Sequence, residues 1–248
     1  MYRFSFILKM SAFLIFTNTL LCFSQCLEDP IECDKCQLCE EYGLDGFGDC
    51  NTCSAYWDCI YGCPLVLDMK GNGLRLGGPS TAVEYDLYGN GDPVRLQWFL
   101  PGNDDALLGI DLNLNGIIDD GSELFGNGSL MVESDTNAGN GFLALIQYDR
   151  VDLGGNEDGS INKLDGIWEL LYLWNDFDGN GICEVDEMTQ LDDTTITDLN
   201  PLPIEKLIFD PFNNLLRFFS EYHYRDHKGN PATHQLIDVY FKKVFGNN

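Results

Sequence analysis

The chain has 248 residues and a formal net charge of −26, because 40 acidic residues outnumber 14 Lys and Arg. This charge argues against nucleic acid and anionic lipid surfaces as partners, since both repel an acidic protein. The length allows one large domain, or one domain with a small appendage.

Residues 1–24 are typical of a secretory signal peptide. Basic residues lie near the start, and an apolar run extends from Met10 to Phe23. The run is too short and too polar for a membrane span, and no other segment is apolar enough to be one. A lipoprotein cleavage before Cys26 is the alternative, although Gln25 is a poor residue to precede it. The sequence therefore predicts a secreted, extracellular protein, with association with a cell surface as an alternative.

Residues 25–63 contain eight of the ten cysteines, several of them separated by two residues. Such spacing could chelate zinc. After a signal peptide, however, an even number of cysteines in a small segment favours disulfides, whose connectivity the sequence does not reveal. We therefore predict a disulfide-rich segment and expect Cys183 to be the unpaired thiol. The eight cysteines are Cys26, Cys33, Cys36, Cys39, Cys50, Cys53, Cys59 and Cys63.

From Pro64 onward the cysteines stop and glycine-containing turns recur. Residues 64–76 and 85–99 are each predicted to form a strand, a turn and a second strand. Both turns begin like a calcium-binding loop, but Lys70 and Tyr88 replace the acid expected at the third loop position. Hairpin turns without metal are therefore the favoured interpretation, with calcium as the alternative.

Residues 106–128 contain a stronger calcium-loop pattern. Oxygen-bearing side chains alternate along the loop, Gly116 allows the sharp turn, and the next residue offers a main-chain carbonyl. The closing carboxylate comes one residue late, at Glu123 rather than Ser122. The predicted ligands are Asp111, Asn113, Asn115, Ile117, Asp119 and Glu123.

Residues 140–150 are predicted to form a helix, since apolar residues recur there at helical spacing. The acidic stretch 154–165 that follows is a third candidate loop. Gly154 stands at its first position, so the first ligand is missing unless Asp149 or Asp152 supplies it. Calcium and a metal-free turn are equally good interpretations of this loop. The candidate ligands are Asn156, Asp158, Ser160, Asn162 and Asp165.

Residues 176–187 match the calcium-loop pattern at every demanding position. Calcium takes about six to eight oxygen ligands, which alternating side chains, one main-chain carbonyl and a bidentate glutamate can supply. Apolar residues at roughly helical spacing between Trp168 and Trp174 predict a helix that enters the loop. An acidic surface turn is the alternative. The predicted ligands are Asp176, Asp178, Asn180, Ile182, Glu184 and Glu187.

The last part of the chain is predicted to be β-structure. Residues 204–210 read as one strand, and residues 217–225 and 234–242 as the two strands of a hairpin. Alternation along the last strand places Ile237, Val239 and Phe241 on one face.

These segments together resemble a known family. PLVLDMKGNG, EYDLYGNGD, IDDGSELFG, LYLWNDFDGNGICEVDE and LIDVYF, spread over residues 64–241, are similar to the calcium-triggered self-processing module of secreted RTX-type iron-regulated proteins. The resemblance implies a module that folds on calcium. In some members it also implies cleavage of an Asp-Pro bond before the Pro-Leu start. Cys63 replaces that Asp here, and Lys70 and Tyr88 replace acids of the first two loops, so the sequence departs from the family pattern at the cleavage point and at these two sites.

The sequence as a whole therefore predicts an α+β fold after a small disulfide-rich segment. Residues 64–248 would form a mixed domain of short strands, hairpins and a few helices with EF-hand-like calcium loops. The predicted function is calcium binding by a secreted protein that folds on extracellular calcium, without catalysis. Ca²⁺ is the predicted cofactor, and an unidentified extracellular protein or surface is the predicted partner. Self-processing and a dockerin-like assembly module, suggested by NEDGSINKLD, are the alternatives.

Overall fold

The computed structural model describes residues 61–244, which belong to a unit that begins at Tyr61. The signal peptide predicted for residues 1–24, and seven of the eight cysteines of the predicted disulfide segment, lie outside the described residues. The eighth, Cys63, is a free and buried thiol, so the expectation that it forms a disulfide is wrong. Cys183 is also free and buried, as expected.

Most of the regular structure in residues 61–244 is β-strand. The strands are β1 (Tyr61–Gly62), β2 (Leu65–Leu67), β3 (Val83–Tyr85), β4 (Val94–Leu96), β5 (Ala106–Ile110), β6 (Leu130–Met131), β7 (Thr136–Asn137), β8 (Ile161–Asn162), β9 (Leu171–Trp174), β10 (Met188–Gln190), β11 (Ile196–Leu199), β12 (Ile204–Phe209), β13 (Leu215–Arg225) and β14 (Pro231–Lys242). The α-helix within these residues is α1 (Gly141–Ile146), and 3-10 turns occur at Pro79–Thr81, Gln147–Asp149, Val151–Leu153, Trp168–Leu170, Val185–Glu187 and Leu191–Asp193.

The predicted α+β fold with EF-hand-like loops is therefore wrong, because the helices that would flank such loops are absent from the described residues. The segment expected to enter the 176–187 loop as a helix is a single 3-10 turn, Trp168–Leu170, followed by strand β9. Leu171, Leu173 and Trp174 are all buried in this strand. A strand covered on both faces is apolar at neighbouring positions, which a short sequence window cannot distinguish from helical spacing.

The main sheet is antiparallel and curls into a half-barrel. Its strands follow the order β10-β9-β5-β2-β14-β13-β11-β8, with β1 also paired to β14 and β12 also paired to β13. Two separate hairpins, β3–β4 and β6–β7, lie outside it. Most neighbours in the sheet are distant in sequence; β2, for example, lies between β14 and β5. The sheet therefore brings together loops from all parts of the described chain.

The curled sheet is covered on both faces by apolar side chains. Leu65 and Leu67 of β2 belong to a cluster that includes the buried residues of α1, whereas Val66 belongs to a second cluster that includes residues of the β3–β4 hairpin. In β14, Ile237, Val239 and Phe241 all lie in the second cluster, which confirms that they share one face. Burial of this kind contributes about 25 cal/mol for each Å² of apolar surface, so the two clusters supply the main stabilisation.

Several predicted elements are confirmed and others are shorter than expected. The strand at 204–210 and the hairpin of β13 and β14 are present, and β3 pairs with β4 around the predicted turn of residues 85–99. The predicted helix of residues 140–150 ends at Ile146 and continues as 3-10 turns. In residues 64–76 only the first strand forms, and Leu76 makes a single bridge to Phe99. None of the helices in residues 61–244 is long and apolar enough to cross a membrane.

Candidate metal centre

The 176–187 loop connects two paired strands of the main sheet. Strand β9 ends at Trp174, one residue before the loop, and β10 begins at Met188 directly after it; these two residues are opposite each other in the antiparallel pair. The amide of Asn175 also donates to the carbonyl of Glu187, at 3.0 Å. Both ends of the loop are thus fixed by the sheet.

Three carboxylates of this loop converge. Asp176, Asp178 and Glu187 each offer an oxygen, and these oxygens lie within 4.8 Å of one another. Asp176 is almost completely buried, at 1% exposure. Carboxylates at this separation repel each other unless a proton or a cation neutralises them. Oxygen donors converging on one point are the arrangement that hard cations require.

Main-chain amides hold the first carboxylate of the loop in place. One oxygen of Asp176 accepts the amides of Gly179 and Asn180 at 2.8 and 3.1 Å, and the other accepts the amide of Gly181 at 2.8 Å. Gly181 has a φ of +73°, and a Cβ there would lie 2.7 Å from the side chain of Val83. The turn therefore requires glycine for both its backbone conformation and its close contact.

The closing carboxylate is held in a similar way. Glu187 accepts the amide of Phe177 at 2.9 Å and the amide of Glu184 at 3.4 Å, so it spans the loop from its second residue to its ninth. Among the other predicted ligands, the Asn180 amide group donates to Asp178 at 3.0 Å and to Glu184 at 3.1 Å. The side chain of Ile182 is exposed. The structure therefore gathers the side-chain ligands predicted for this loop.

Two indole groups contact the carboxylates of the 176–187 loop from the core. The indole N–H of Trp98 donates to Oδ2 of Asp176, and that of Trp174 donates to Oε2 of Glu187 at 3.1 Å. The side-chain amide of Asn103 donates to the main-chain carbonyl of Asp176. Trp98 and Asn103 lie more than seventy residues earlier in the chain, and no local pattern could have linked them to this loop.

Burial changes the acidity of both end carboxyls. Desolvation raises the pKa of Asp176 above its ordinary value, although hydrogen bonds from Trp98 and the loop amides oppose the shift. Desolvation likewise raises the pKa of Glu187. A nearby cation would favour the charged forms instead. Burial therefore favours the protonated form of both carboxyls unless a cation lies nearby.

The 111–123 loop repeats this hydrogen-bond scheme. Asp111 accepts the amides of Asn115 and Gly116 at 3.1 and 2.8 Å. Glu123 accepts the amide of Leu112 at 2.9 Å and, with its other oxygen, the amide of Asp119 at 2.8 Å. Glu123 thus closes the loop, although Ser122 stands at the twelfth position, where the calcium-loop pattern expects the closing carboxylate.

The remaining predicted ligands of the 111–123 loop are linked to each other. The side-chain amides of Asn113 and Asn115 both donate to Oδ2 of Asp119. Ile117 donates its amide to Asn115. Desolvation raises the pKa of Glu123, as it does for Glu187. The two loops therefore share the hydrogen bonds of their first and closing carboxylates and the raised pKa of the closing glutamate.

The third loop follows the same scheme with a first carboxylate from outside the predicted loop. Asp149, in the turn Gln147–Asp149, accepts the amides of Asp158 and Gly159 at 3.1 and 2.9 Å. Asp165 closes the loop by accepting the amides of Asn156 and Asn162 at 3.2 and 2.8 Å. Burial raises the pKa of Asp165. Asp149 thus fills the position that Gly154 leaves vacant, and the loop is better described as residues 149–165.

The other candidate ligands of the 149–165 loop lie together on its exposed side. The side-chain amides of Asn156 and Asn162 both donate to Asp158, at 2.8 and 3.3 Å. The amide of Ser160 donates to the other oxygen of Asp158 at 3.0 Å. In all three loops the assignment of these residues as metal ligands stays a prediction.

The two early turns contain only the first half of the scheme. Asp68 accepts the amides of Asn72 and Gly73 at 3.1 and 2.9 Å, but Lys70 forms an ion pair with Asp104 at 3.3 Å. The neighbouring Asp105 is buried, and desolvation raises its pKa to about 7.

In the second turn, Asp86 accepts the amides of residues 90 and 91 at 3.2 and 2.6 Å. No carboxylate within either turn closes it.

Comparison with known proteins agrees with the presence of one module in this part of the chain. Residues 65–242 match the model of the SPM domain. The iron-regulated protein FrpA of Neisseria meningitidis serogroup C is 32% identical over 139 residues, which cover 55% of this chain and 12% of that protein. The chain thus corresponds to a small part of this relative. Since the match to the family model extends over most of the chain, the protein belongs to the SPM domain family.

Proposed function

We propose that the protein binds calcium ions in the 176–187, 111–123 and 149–165 loops, and that these ions stabilise its fold. The observation that carries the proposal is the convergence of Asp176, Asp178 and Glu187 within 4.8 Å. The shared hydrogen-bond scheme of the three loops extends the proposal to the other two. In each loop, amides already orient a first and a closing carboxylate, so the cation does not have to organise them.

The donor atoms favour calcium over other cations. Every ligand that the three loops offer is an oxygen, which is unsuited to zinc and to other metals that prefer nitrogen or sulfur. The thiol of Cys183 lies in the 176–187 loop, but burial raises its pKa to about 12, so it is not a thiolate ligand. Magnesium demands a small regular octahedron and keeps its waters, whereas loops with this many donors suit the larger, more irregular shell of calcium.

The location of the protein is part of the proposal. The N-terminal signal peptide predicted from the sequence would send it outside the cell. Extracellular modules commonly bind calcium with dissociation constants of about 10⁻⁴–10⁻³ M. We expect the loops to be filled there, and we propose that the folded module contacts an extracellular protein or surface.

Calorimetry tests the proposal directly. Chelator-treated full-length protein is titrated with calcium chloride and, separately, with magnesium chloride. We expect saturable calcium binding with dissociation constants of about 10⁻³ M or tighter, and much weaker binding of magnesium. An absence of calcium binding at millimolar concentration would refute the proposal.

A matched pair of variants identifies the site. Glu187→Gln removes one of the three converging carboxylates, whereas Asp186→Asn changes the adjacent, exposed acid by the same charge. Glu187→Gln should weaken binding at one site by about tenfold or more. Asp186→Asn should leave that site nearly unchanged, and equal effects would mean that overall charge, not this site, binds the cation.

A further inference from the structure

Two of the proposed calcium loops lie against the same hairpin. Val83 of β3 packs directly on Gly181 of the 176–187 loop, where a Cβ would lie only 2.7 Å from its side chain. In the turn that follows β3, the carbonyl of Asp86 accepts the amide of Gly121 from the 111–123 loop at 2.7 Å. The β3–β4 hairpin therefore touches both loops.

The two loops also contact each other. The main-chain amide of Ile118 lies near the thiol of Cys183, since its hydrogen bond opposes the rise that burial causes in the pKa of that thiol. Ile118 follows Asp111 by seven residues and Cys183 follows Asp176 by seven residues, so each occupies the eighth place of its loop. Both side chains are buried, at 1% and 5% exposure, and lie in the same apolar cluster. The contact thus joins equivalent positions of two similar loops.

Tyr85 of β3 belongs to the same apolar cluster as Ile118 and Cys183. Its side chain is buried, and its hydroxyl has no hydrogen-bond partner among residues 61–244. Its ring lies 5.4 Å from that of Trp98 and 5.8 Å from that of Trp174, the two indoles that contact the carboxylates of the 176–187 loop. Burial raises the pKa of Tyr85, and the nearby Asp120, Cys183 and Glu123 raise it further.

We propose that calcium binds to the 176–187 and 111–123 loops with positive cooperativity, transmitted by Tyr85, Ile118 and Cys183, which we call the loop bridge. The inference rests on the proposed calcium binding and adds to it a coupling between two sites. The 149–165 loop contributes no residue to the loop bridge and is expected to bind independently.

The sign of the coupling follows from the cost of ordering the loops. A cation that binds one loop fixes its eighth residue, and through the loop bridge it also restricts the eighth residue of the other loop. The second cation then meets a loop that is already partly ordered, and so loses less conformational entropy. Direct repulsion between the cations acts in the opposite direction. It is weakened by the carboxylates around each ion and by screening at physiological salt.

Nuclear magnetic resonance can follow each loop separately. The amides of Gly181, Gly116 and Gly159 each donate to the first carboxylate of their own loop, so their signals report its occupancy. In Glu123→Gln, which disables the 111–123 loop, we expect the midpoint for Gly181 to rise about fivefold or more. Because coupling is reciprocal, Glu187→Gln should raise the midpoint for Gly116 by a similar factor.

The matched control is Asp165→Asn, which disables the 149–165 loop. It should abolish the response of Gly159 and leave the midpoints for Gly181 and Gly116 unchanged. A Gly181 midpoint that moves no further in Glu123→Gln than in Asp165→Asn would overturn the coupling while leaving calcium binding intact. Wild-type protein in which none of the three glycines responds to calcium would overturn both proposals.

A milder change tests the role of the loop bridge. Ile118→Val shortens the side chain but keeps its apolar character, so the fold should persist. Both loops should still bind calcium, and the factor by which Glu123→Gln shifts the Gly181 midpoint should be smaller in this background. An unchanged factor would show that the coupling does not pass through Ile118.

Discussion

Asp176, Asp111 and Asp149 perform the same task, although only two of them follow the same sequence pattern. Each accepts the amide of the central glycine of its loop, which comes five residues later for Asp176 and Asp111 and ten residues later for Asp149. The pattern of a calcium loop assumes a fixed spacing and therefore finds the first two. The third depends on the 3-10 turns Gln147–Asp149 and Val151–Leu153, which return the chain to Asp149.

The role of Asp149 can be tested against a neighbour. Asp149→Asn removes a charge from the first position of the 149–165 loop and should weaken calcium binding there by about tenfold or more. Asp152→Asn is the control, because Asp152 is exposed and pairs with Arg150. It should have little effect on binding. The midpoint of the Gly159 amide signal in a calcium titration measures both variants, and equal effects would contradict the assignment of Asp149.

The bond between Cys63 and Pro64 is expected to stay intact. An aspartate in place of Cys63 can attack its own main-chain carbonyl through a five-membered ring, whereas the thiol would have to close a strained four-membered ring. Cys63 is buried against Asp238 and Tyr240, and desolvation and the charge of Asp238 keep its pKa well above the usual value. The nucleophilic thiolate is therefore scarce.

Mass spectrometry of protein incubated with millimolar calcium checks this expectation. The mature chain should keep its mass, and a fragment that begins at Pro64 would contradict the argument. Cys63→Asp is the informative companion. It should begin to cleave if the surrounding residues are still competent for that chemistry.

At the scale of elements, the sequence predicts hairpins better than it predicts the partners of strands. β13 and β14 are long and are joined by a short turn, so their pairing is local and visible in the sequence. The apolar positions of Trp168–Trp174 fit helical spacing. Leu171–Trp174 is nevertheless strand β9, because β5 and β10 flank it and the apolar clusters cover it. Only the tertiary structure supplies that information.

The candidate metal centre divides in the same way. The carboxylates that accept loop amides, in residues 176–187 and at Glu123, can be located from spacing, because each lies in one continuous turn. Trp98, Asn103 and Tyr85 cannot, because they reach the loops through the sheet and the β3–β4 hairpin. The sequence therefore reveals residues that lie within one loop, but not the residues that the tertiary structure brings into contact with that loop.

Two loop glycines differ in how tightly they are enclosed. Gly181 and Gly116 have φ values of +73° and +92°, but only Gly181 would place a Cβ against a neighbour, 2.7 Å from Val83. Gly116→Ala should therefore cost about 1 kcal/mol of stability, from the positive φ alone. Gly181→Ala should cost at least about 1 kcal/mol more, because Val83 must move. Urea unfolding in calcium measures both, and equal losses would contradict the close packing.

At the scale of the whole molecule, the fold buries two carboxyls that form no ion pair within residues 61–244. Desolvation raises the pKa of Asp105 and of Asp238 from 3.8 to about 7. The folded state therefore holds these protons more tightly than the unfolded state does. Their contribution to stability is fully present below about pH 4 and is lost as the pH rises through 7.

Chelated protein should show this loss directly. Between pH 4 and pH 7 the contribution of Asp238 to the free energy of unfolding should fall by on the order of 4 kcal/mol. Asp238→Asn keeps the shape of the side chain but cannot ionise, so its stability should vary less with pH across this window. Urea unfolding at a series of pH values makes the comparison. Identical pH profiles for the two proteins would contradict the assignment.

Because the net charge is −26, we expect the chain to form its compact folded state only when calcium is bound. The carboxylates of the three loops repel each other without cations, and in the proposed function the binding free energy of the cations becomes folding free energy. Near-UV circular dichroism reports the packing of the buried rings of Tyr85, Trp98 and Trp174 next to the loops. We predict that chelated protein at neutral pH has a weak near-UV spectrum and that millimolar calcium restores a strong one. A strong spectrum that calcium leaves unchanged would contradict the central claim.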